Sequence, residues 1–295
     1  MLLSFVIPCY HSAATLPEVV SEIKATVERD GRYGYEIILV NDNPPDDTYE
    51  VIRRLAREDR NIKGICMSRN FGQHAALMAG YREVQGDIVI SLDDDGQTPA
   101  DQLFRLVEAL KEDVDVVYAR YPSKKHSPFR NFGTYMNEKM AVWLLGKPKN
   151  LHITSYFAMR PLVVEQIVQY HNPYSYVEGL VLRATSRVIN VPVEHRARES
   201  GESGYTFSKL LSLWLNGFTA FSVKPLRVGT LAGTVLMILG FLSAMIVLVQ
   251  KLRLGDAIDA GWSSLMCLLL VLGGLILAML GLLGEYIGRI YVSIS

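Results

Sequence analysis

Ile88-Val89-Ile90-Ser91-Leu92-Asp93-Asp94-Asp95-Gly96-Gln97-Thr98-Pro99 runs a short apolar stretch straight into three adjacent carboxylates and a turn. The β-branched run reads as a buried strand, and Gly96 and Pro99 end it. Carboxylates packed this closely repel one another unless a cation or full solvation relieves them. Hard divalent ions take oxygen ligands of this kind, commonly one or two carboxylates together with substrate phosphates. Asp93 and Asp95, as alternate residues, are spaced to reach one ion, with Gln97 as a neutral oxygen donor. A solvated acidic turn is the competing reading of the same residues.

Outward from this point the sequence alternates in period. Short β-rich runs at 3–7, 36–40, 62–67, 87–92 and 114–118 are separated by helical stretches at about 16–28, 47–58, 73–84 and 99–112. Strand and helix repeated at this spacing predict an α/β fold, a mostly parallel sheet with helices on both faces. Such sheets bind ligands beyond the carboxyl ends of their strands. The first strand ends Ile7-Pro8-Cys9-Tyr10-His11-Ser12, with no Gly-rich dinucleotide fingerprint, and no phosphate-binding GxxxxGK[ST] loop occurs anywhere. NAD enzymes and P-loop NTPases are therefore disfavoured. The second strand ends Val40-Asn41-Asp42-Asn43-Pro44-Pro45, residues that also suit an ordinary turn and helix cap.

The 30 Lys and Arg balance 30 Asp and Glu across 295 residues, which argues against a nucleic-acid partner. A hydrophobic share of 49% excludes disorder. Cys9, Cys66 and Cys267 lie far apart and fit a reducing compartment rather than a disulfide framework. The N-terminus lacks the basic start and long apolar run of a signal peptide. Further on, no charged residue occurs from 228 to 250, nor from 260 to 284. Each stretch is long enough for a helix crossing ~30 Å of hydrocarbon. The connection carries Lys251, Arg253, Asp256 and Asp259, so the pair reads as a hairpin with both ends on one side. Lys209, Lys224, Arg227 and Arg289 flank it and favour a cytoplasmic bulk. Read as a helix, 206–223 puts Phe207, Leu210, Leu211, Trp214, Phe218 and Phe221 on one face, and Pro225 stops it. An amphipathic helix packed on a core would show the same pattern, but the aromatic load and the place just before a span favour an interfacial helix.

Val6-Ile7-Pro8-Cys9-Tyr10, the Asn41-Asp42 turn, Arg69-Asn70-Phe71-Gly72-Gln73-His74 and the 93–97 run together resemble family 2 glycosyltransferases of GT-A (Rossmann-like) fold. Arg198-Glu199-Ser200-Gly201-Glu202-Ser203-Gly204-Tyr205 and the ending Gly284-Glu285-Tyr286-Ile287-Gly288-Arg289 resemble the polyprenyl-phosphate subgroup of that family. The resemblance implies a domain at 1–205, an interfacial helix and linker at 206–227, and a transmembrane hairpin at 228–295. It implies sugar transfer from a nucleotide sugar to a polyprenyl phosphate at the inner membrane, with the catalytic domain and both termini cytoplasmic, and a homotetramer. Asp93, Asp95 and Gln97 match the metal motif for Mg²⁺ or Mn²⁺. Pro8, Tyr10 and Asp42 match the nucleotide-base pocket, with Asn41, Arg69 and Asp94 as further donor contacts. Arg198 and Ser203 match a segment closing over the diphosphate, and Arg130, with Arg120 and Lys124 nearby, matches the place of the acceptor phosphate.

Three departures stand out. Tyr10-His11-Ser12 replaces a Tyr-Asn-Glu pattern, and Asn41-Asp42 replaces Asp-Asp, leaving uracil, guanine and thymine all open as the base. At Thr154-Ser155 relatives commonly carry an aspartate proposed as a base; neither hydroxyl can play that part at neutral pH. A phosphate acceptor with a second pKa near ~6 arrives ionised and needs no such base. A processive polysaccharide synthase is disfavoured by the lack of a Gln-x-x-Arg-Trp motif, and an inactive scaffold by the intact acidic motif. His74 reads as a cap or packing residue.

Overall fold

The computed structural model describes residues 1–43, 45–121, 147–171 and 175–194, with isolated helical positions at 142 and between 249 and 290. Contacts divide the chain into two compact units, Met1–Gly204 and Tyr205–Ser295.

The first unit is built on strands β1 (Leu2–Cys9), β2 (Gly34–Asn41), β3 (Ile62–Cys66), β4 (Ile88–Ser91), β5 (Val116–Arg120), β6 (Phe157–Met159) and β7 (Val188–Pro192). They form one seven-stranded sheet in the order β3-β2-β1-β4-β6-β5-β7. Every pairing is parallel except those of β6, which runs antiparallel to both β4 and β5. The side chains of β1 alternate between faces. Phe5 and Ile7 pack with Ile23 of α1 (Leu16–Asp30), Ile52 of α2 (Thr48–Glu58) and Leu106 of α4 (Leu103–Ala109). On the other face Val6 packs with Tyr81 of α3 (Gln73–Tyr81), Val164 of α5 (Pro161–Ile167) and Val181 of α6 (Val177–Ala184). Two apolar layers thus sandwich a sheet buried on both sides, which is why its central strands carry near-continuous hydrophobic runs.

The helix expected at 99–112 is a 3-10 turn (Ala100–Gln102) followed by the short α4, and β5 starts at Val116 rather than at 114. The pattern of residues missed β6, α5, α6 and β7. At three residues β6 is too short for a period of two to declare itself.

Two buried polar locks hold the sheet's other end. Glu36 accepts from the Ser4 hydroxyl and the Gln85 N–H, both at 2.6 Å, and the Gly86 N–H reaches Ser4 Oγ at 2.8 Å. Asp115, only 3% exposed, takes a two-pronged bond from Arg187 (Nε 2.9 Å, Nη2 2.8 Å) and one from the Thr185 hydroxyl at 2.6 Å. Burial pushes the Asp115 pKa up, but Thr185 and Arg187 outweigh it and hold it below the usual range. Stability from this carboxylate is therefore present above the unfolded carboxylate pKa and lost as pH falls through the lower folded value. Arg187→Met strands the buried charge and is expected to cost about 2–3 kcal/mol at pH 7. Urea denaturation should show that penalty shrinking as the pH falls through the lowered folded value, where Asp115 becomes protonated in both states.

In the second unit the described positions are helical, and Leu269, Ile276, Leu280, Leu283, Ile287 and Ile290 are all exposed. Their spacing of three, four or seven residues puts them on one helical face. Among the described residues no helix is long and apolar enough to cross a membrane. The expected interfacial helix at 206–223 and all but one residue of the expected span at 228–250 lie outside the described residues, as does most of the expected span at 260–284.

Candidate active site at the carboxyl edge of the sheet

The parallel strands deliver Cys9, Asn41, Cys66 and Ser91 to one edge of the sheet, and the acidic turn leaves from there. Gly96 makes that turn at a φ of 72°, a left-handed conformation that costs glycine little. The three carboxylates then separate. Asp94 points towards the first strand's exit: its Oδ2 accepts the Tyr10 N–H at 2.9 Å, and its carbonyl accepts the Thr15 hydroxyl at 2.6 Å. Asp95 accepts from the Gln97 N–H at 3.1 Å and from Gln97 Nε2 at 2.6 Å. Asp93 receives Gln73 Nε2 on Oδ1 at 3.1 Å and the Ser155 hydroxyl on Oδ2.

Burial pushes the Asp93 carboxyl up to about 6; the charges of Asp95 and Asp94 add to this, while Ser155 and Gln73 oppose it. Asp94 is raised as well, chiefly by burial. Negative charge is thus held here against its preference. A hard cation relieves that strain, and the donors are the right kind for one: carboxylate oxygens plus an amide. Among the described residues no three His, Cys, Asp or Glu side chains group so as to hold an ion by themselves. The set therefore suits an ion that also takes oxygens from a substrate.

Beside the acidic turn lie two displayed aromatic rings. Tyr10 is 47% and Phe71 45% exposed. Asp42, itself buried, holds the loop that carries Phe71, accepting the Phe71 and Gly72 N–H groups at 2.8 Å each. Arg69 lies over the Phe71 ring, 4.6 Å from its centroid. Pro8 is buried within β1, opposite Val40 of β2. Asn41 is buried between the first and third strands; its Nδ2 reaches Cys66 Sγ at 3.4 Å, and its Oδ1 finds no partner among the described residues.

Pro8, Tyr10, Asn41, Asp42, Arg69, Asp93, Asp94, Asp95 and Gln97 thus gather at one edge of the sheet. Arg120 ends β5 there and is exposed. Lys124, Arg130, Arg198 and Ser203 lie outside the described residues. His74 is a packing residue: its Nδ1 lies 3.4 Å from Glu178 Oε2, and its ring meets Tyr176 edge-on at 5.0 Å. Gln73, Phe71, Thr15 and the bond made by Ser155 were not singled out in the sequence. Phe71 and Gln73 sat inside a recognised run, but nothing in the spacing told which atoms they would meet.

A mostly parallel sheet carrying an acidic turn beyond its fourth strand and aromatic residues beyond its first and third is the architecture of a GT-A-like nucleotide-sugar enzyme. The chain belongs to glycosyl transferase family 2, matching its description over residues 4–166, and residues 224–290 match the GtrB C-terminal hairpin. It is 34% identical over 292 residues to undecaprenyl-phosphate 4-deoxy-4-formamido-L-arabinose transferase of Proteus mirabilis, covering 98% of this chain and 89% of that one. The enzyme of the same description from Edwardsiella ictaluri is 34% identical over 290 residues, with the same coverage. Among solved structures, glucosyl-3-phosphoglycerate synthase from Mycobacterium tuberculosis, in complex with Mn²⁺, UDP-glucose and phosphoglyceric acid, superposes with a TM-score of 0.52. That match is 18% identical and covers 74% of this chain and 77% of the other, a likeness of fold. The protein is a glycosyltransferase.

Proposed function

We propose that the enzyme moves a sugar from a nucleoside-diphosphate sugar to a polyprenyl phosphate, undecaprenyl phosphate by likeness to its relatives, with inversion at the anomeric carbon. The observation that carries this reading is the pair Asp93 and Asp95 at the end of β4, inside a chain alike along nearly its whole length to transferases named for that lipid.

Asp93, Asp95 and Gln97 would hold Mg²⁺ or Mn²⁺, which when bound supplies positive charge to the departing diphosphate. Tyr10 and Phe71 would flank the base, with Asp42 holding the loop that carries Phe71 and Asn41 ending the strand behind it. Arg198 and Ser203 would clamp the diphosphate, a guanidinium giving the two-pronged contact that lysine cannot. Arg120, Lys124 and Arg130 would receive the acceptor phosphate. That phosphate, largely dianionic at pH 7, attacks without surrendering a proton to the protein. The outward row from Leu269 to Ile290 supports seating in the inner membrane, with spans near 228–250 and 260–284 and the catalytic unit and both termini on the cytoplasmic side. The family resemblance further suggests a homotetramer.

The test is direct. Detergent-solubilised enzyme, a panel of radiolabelled nucleotide sugars and undecaprenyl phosphate should yield one labelled lipid on thin-layer plates. Failure with every donor, together with absence of thermal stabilisation by any of them, would remove the reading.

A pH dependence follows from Asp93. Because its folded pKa is raised to about 6, its contribution to stability is fully present below the unfolded value of 3.8 and lost as pH rises through about 6. Asp93→Asn removes that loss. In EDTA the variant should therefore melt a few degrees above wild type at pH 7.5 and level with it at pH 4, while losing transfer activity. Scanning calorimetry at the two pH values checks it.

A further inference from the structure

The antiparallel strand puts its own beginning into the site. Ser91 of β4 stands opposite Phe157 of β6, so two residues further along β4 and two back along β6 bring Asp93 opposite Ser155. Thr154 turns the other way, its hydroxyl bonded to the carbonyls of Ala119 and Tyr156 at 3.0 and 3.1 Å. The segment is bolted on both sides. Asn190 of β7 takes the His152 N–H at 2.7 Å and returns its own Nδ2 to the His152 carbonyl at 2.7 Å, while the Ala119 N–H reaches the Tyr156 carbonyl at 2.9 Å. A side chain on such a segment has little freedom to wander, and its hydroxyl is spent on one oxygen of Asp93. Gln73, at the first position of α3, holds the other oxygen.

We propose that Ser155 is a positioning residue: with Gln73 it grips the Asp93 carboxylate in the one orientation in which the acidic turn captures a divalent cation. The inference rests on the metal-dependent reading given above and deepens it. Ser155 is a neutral donor, and its service is to another side chain. A carboxylate at 155 would face that of Asp93 at contact distance; a hydroxyl removes that repulsion and adds a bond to a charged acceptor, the stronger class of hydrogen bond. Each Asp93 oxygen keeps a lone pair for an ion. An unheld Asp93 would have to be ordered when the cation arrives, and the cost of that ordering appears as weaker binding.

The experiment uses the full chain in detergent and Mn²⁺ alone as the probe, its free concentration read by electron paramagnetic resonance. Ser155→Ala should weaken Mn²⁺ binding about tenfold, and Ser155→Thr, which keeps the hydroxyl, should restore it to within about threefold of wild type. In EDTA at pH 7.5 Ser155→Ala should lose no more stability than the one missing bond to the Asp93 carboxylate accounts for, while Ser155→Thr stays near wild type. Unchanged Mn²⁺ affinity in Ser155→Ala, or a Thr variant as weak as the Ala one, would each overturn the proposal. If wild type itself takes up no Mn²⁺, the metal reading falls and this proposal goes with it; a wild type that binds beside an unaffected Ala variant sinks only the role of Ser155.

Discussion

Asp95→Ala is expected to lower kcat for sugar transfer about a thousandfold, the loss of about 4 kcal/mol of stabilisation of the departing group. The size follows from where the residue sits. Asp95 lies in the turn just past β4, its two oxygens aligned by the backbone and side chain of Gln97 two residues on. On the proposed reading, removing it takes away a hard oxygen ligand for the cation at the carboxyl edge of the sheet. Both bonds from Gln97 close within the turn, so the far-ultraviolet circular dichroism and the gel-filtration profile should remain those of wild type. Asp95→Asn should recover little, because an amide oxygen carries no net charge to hold a divalent cation. A labelled-donor assay gives the answer: turnover within about fivefold of wild type in the alanine variant would take Asp95 out of the metal site.

The second large effect concerns stability. A methyl group at Gly86 would lie 2.4 Å from Ser4 Oγ, 2.7 Å from the Leu2 carbonyl oxygen and 2.9 Å from the Ser4 nitrogen. Two of these three neighbours are backbone atoms of β1 in the middle of the sheet, so they cannot swing aside like the end of a flexible side chain. Relief has to come from moving the chain at Gly86. That breaks its N–H bond to Ser4 Oγ and disturbs the Glu36 acceptor that Ser4 and Gln85 share. Overpacking and a disrupted buried polar group together put Gly86→Ala at about 3–4 kcal/mol of destabilisation. For a unit of this size the melting midpoint should drop about 8–12 °C. A shift of under ~2 °C would show that the loop yields more easily than its contacts imply.

The contrast between what the residues announced and what they concealed has a physical basis. The strand-and-helix alternation from Leu2 to Arg120 was legible because β1, β2, β4 and β5 lie in the sheet interior, where hydrophobic runs are continuous, and edge strand β3 is still partly buried. Phe157-Ala158-Met159 carries no such signal: three residues wedged between β4 and β5 owe their extended form to the neighbours' unpaired backbone groups, a tertiary effect. With that strand unseen, its reversed direction was unseen too, and with it the meeting of Ser155 and Asp93. The acidic turn itself could be read, because three carboxylates at a strand end are chemically conspicuous. How they part could not. Asp94 turns to Tyr10 and Asp93 to Gln73, and those assignments are set by which loops fold over the turn rather than by its own residues. Asp42 illustrates the same point, since its partners Phe71 and Gly72 lie about thirty residues on, in a loop whose placement depends on β3 and α3.

The tether between Asp94 and the first strand's exit links two tasks in one mechanical body. Through its side chain and its carbonyl, one aspartate ties the loop bearing the Tyr10 ring to the acidic corner, so a shift in either is transmitted to the other. On the proposed reading, donor preference and ion capture therefore cannot drift independently at these positions. At Phe71 the coupling is looser, because Asp42 grips only the peptide backbone there and the ring's neighbour is the Arg69 guanidinium lying over it.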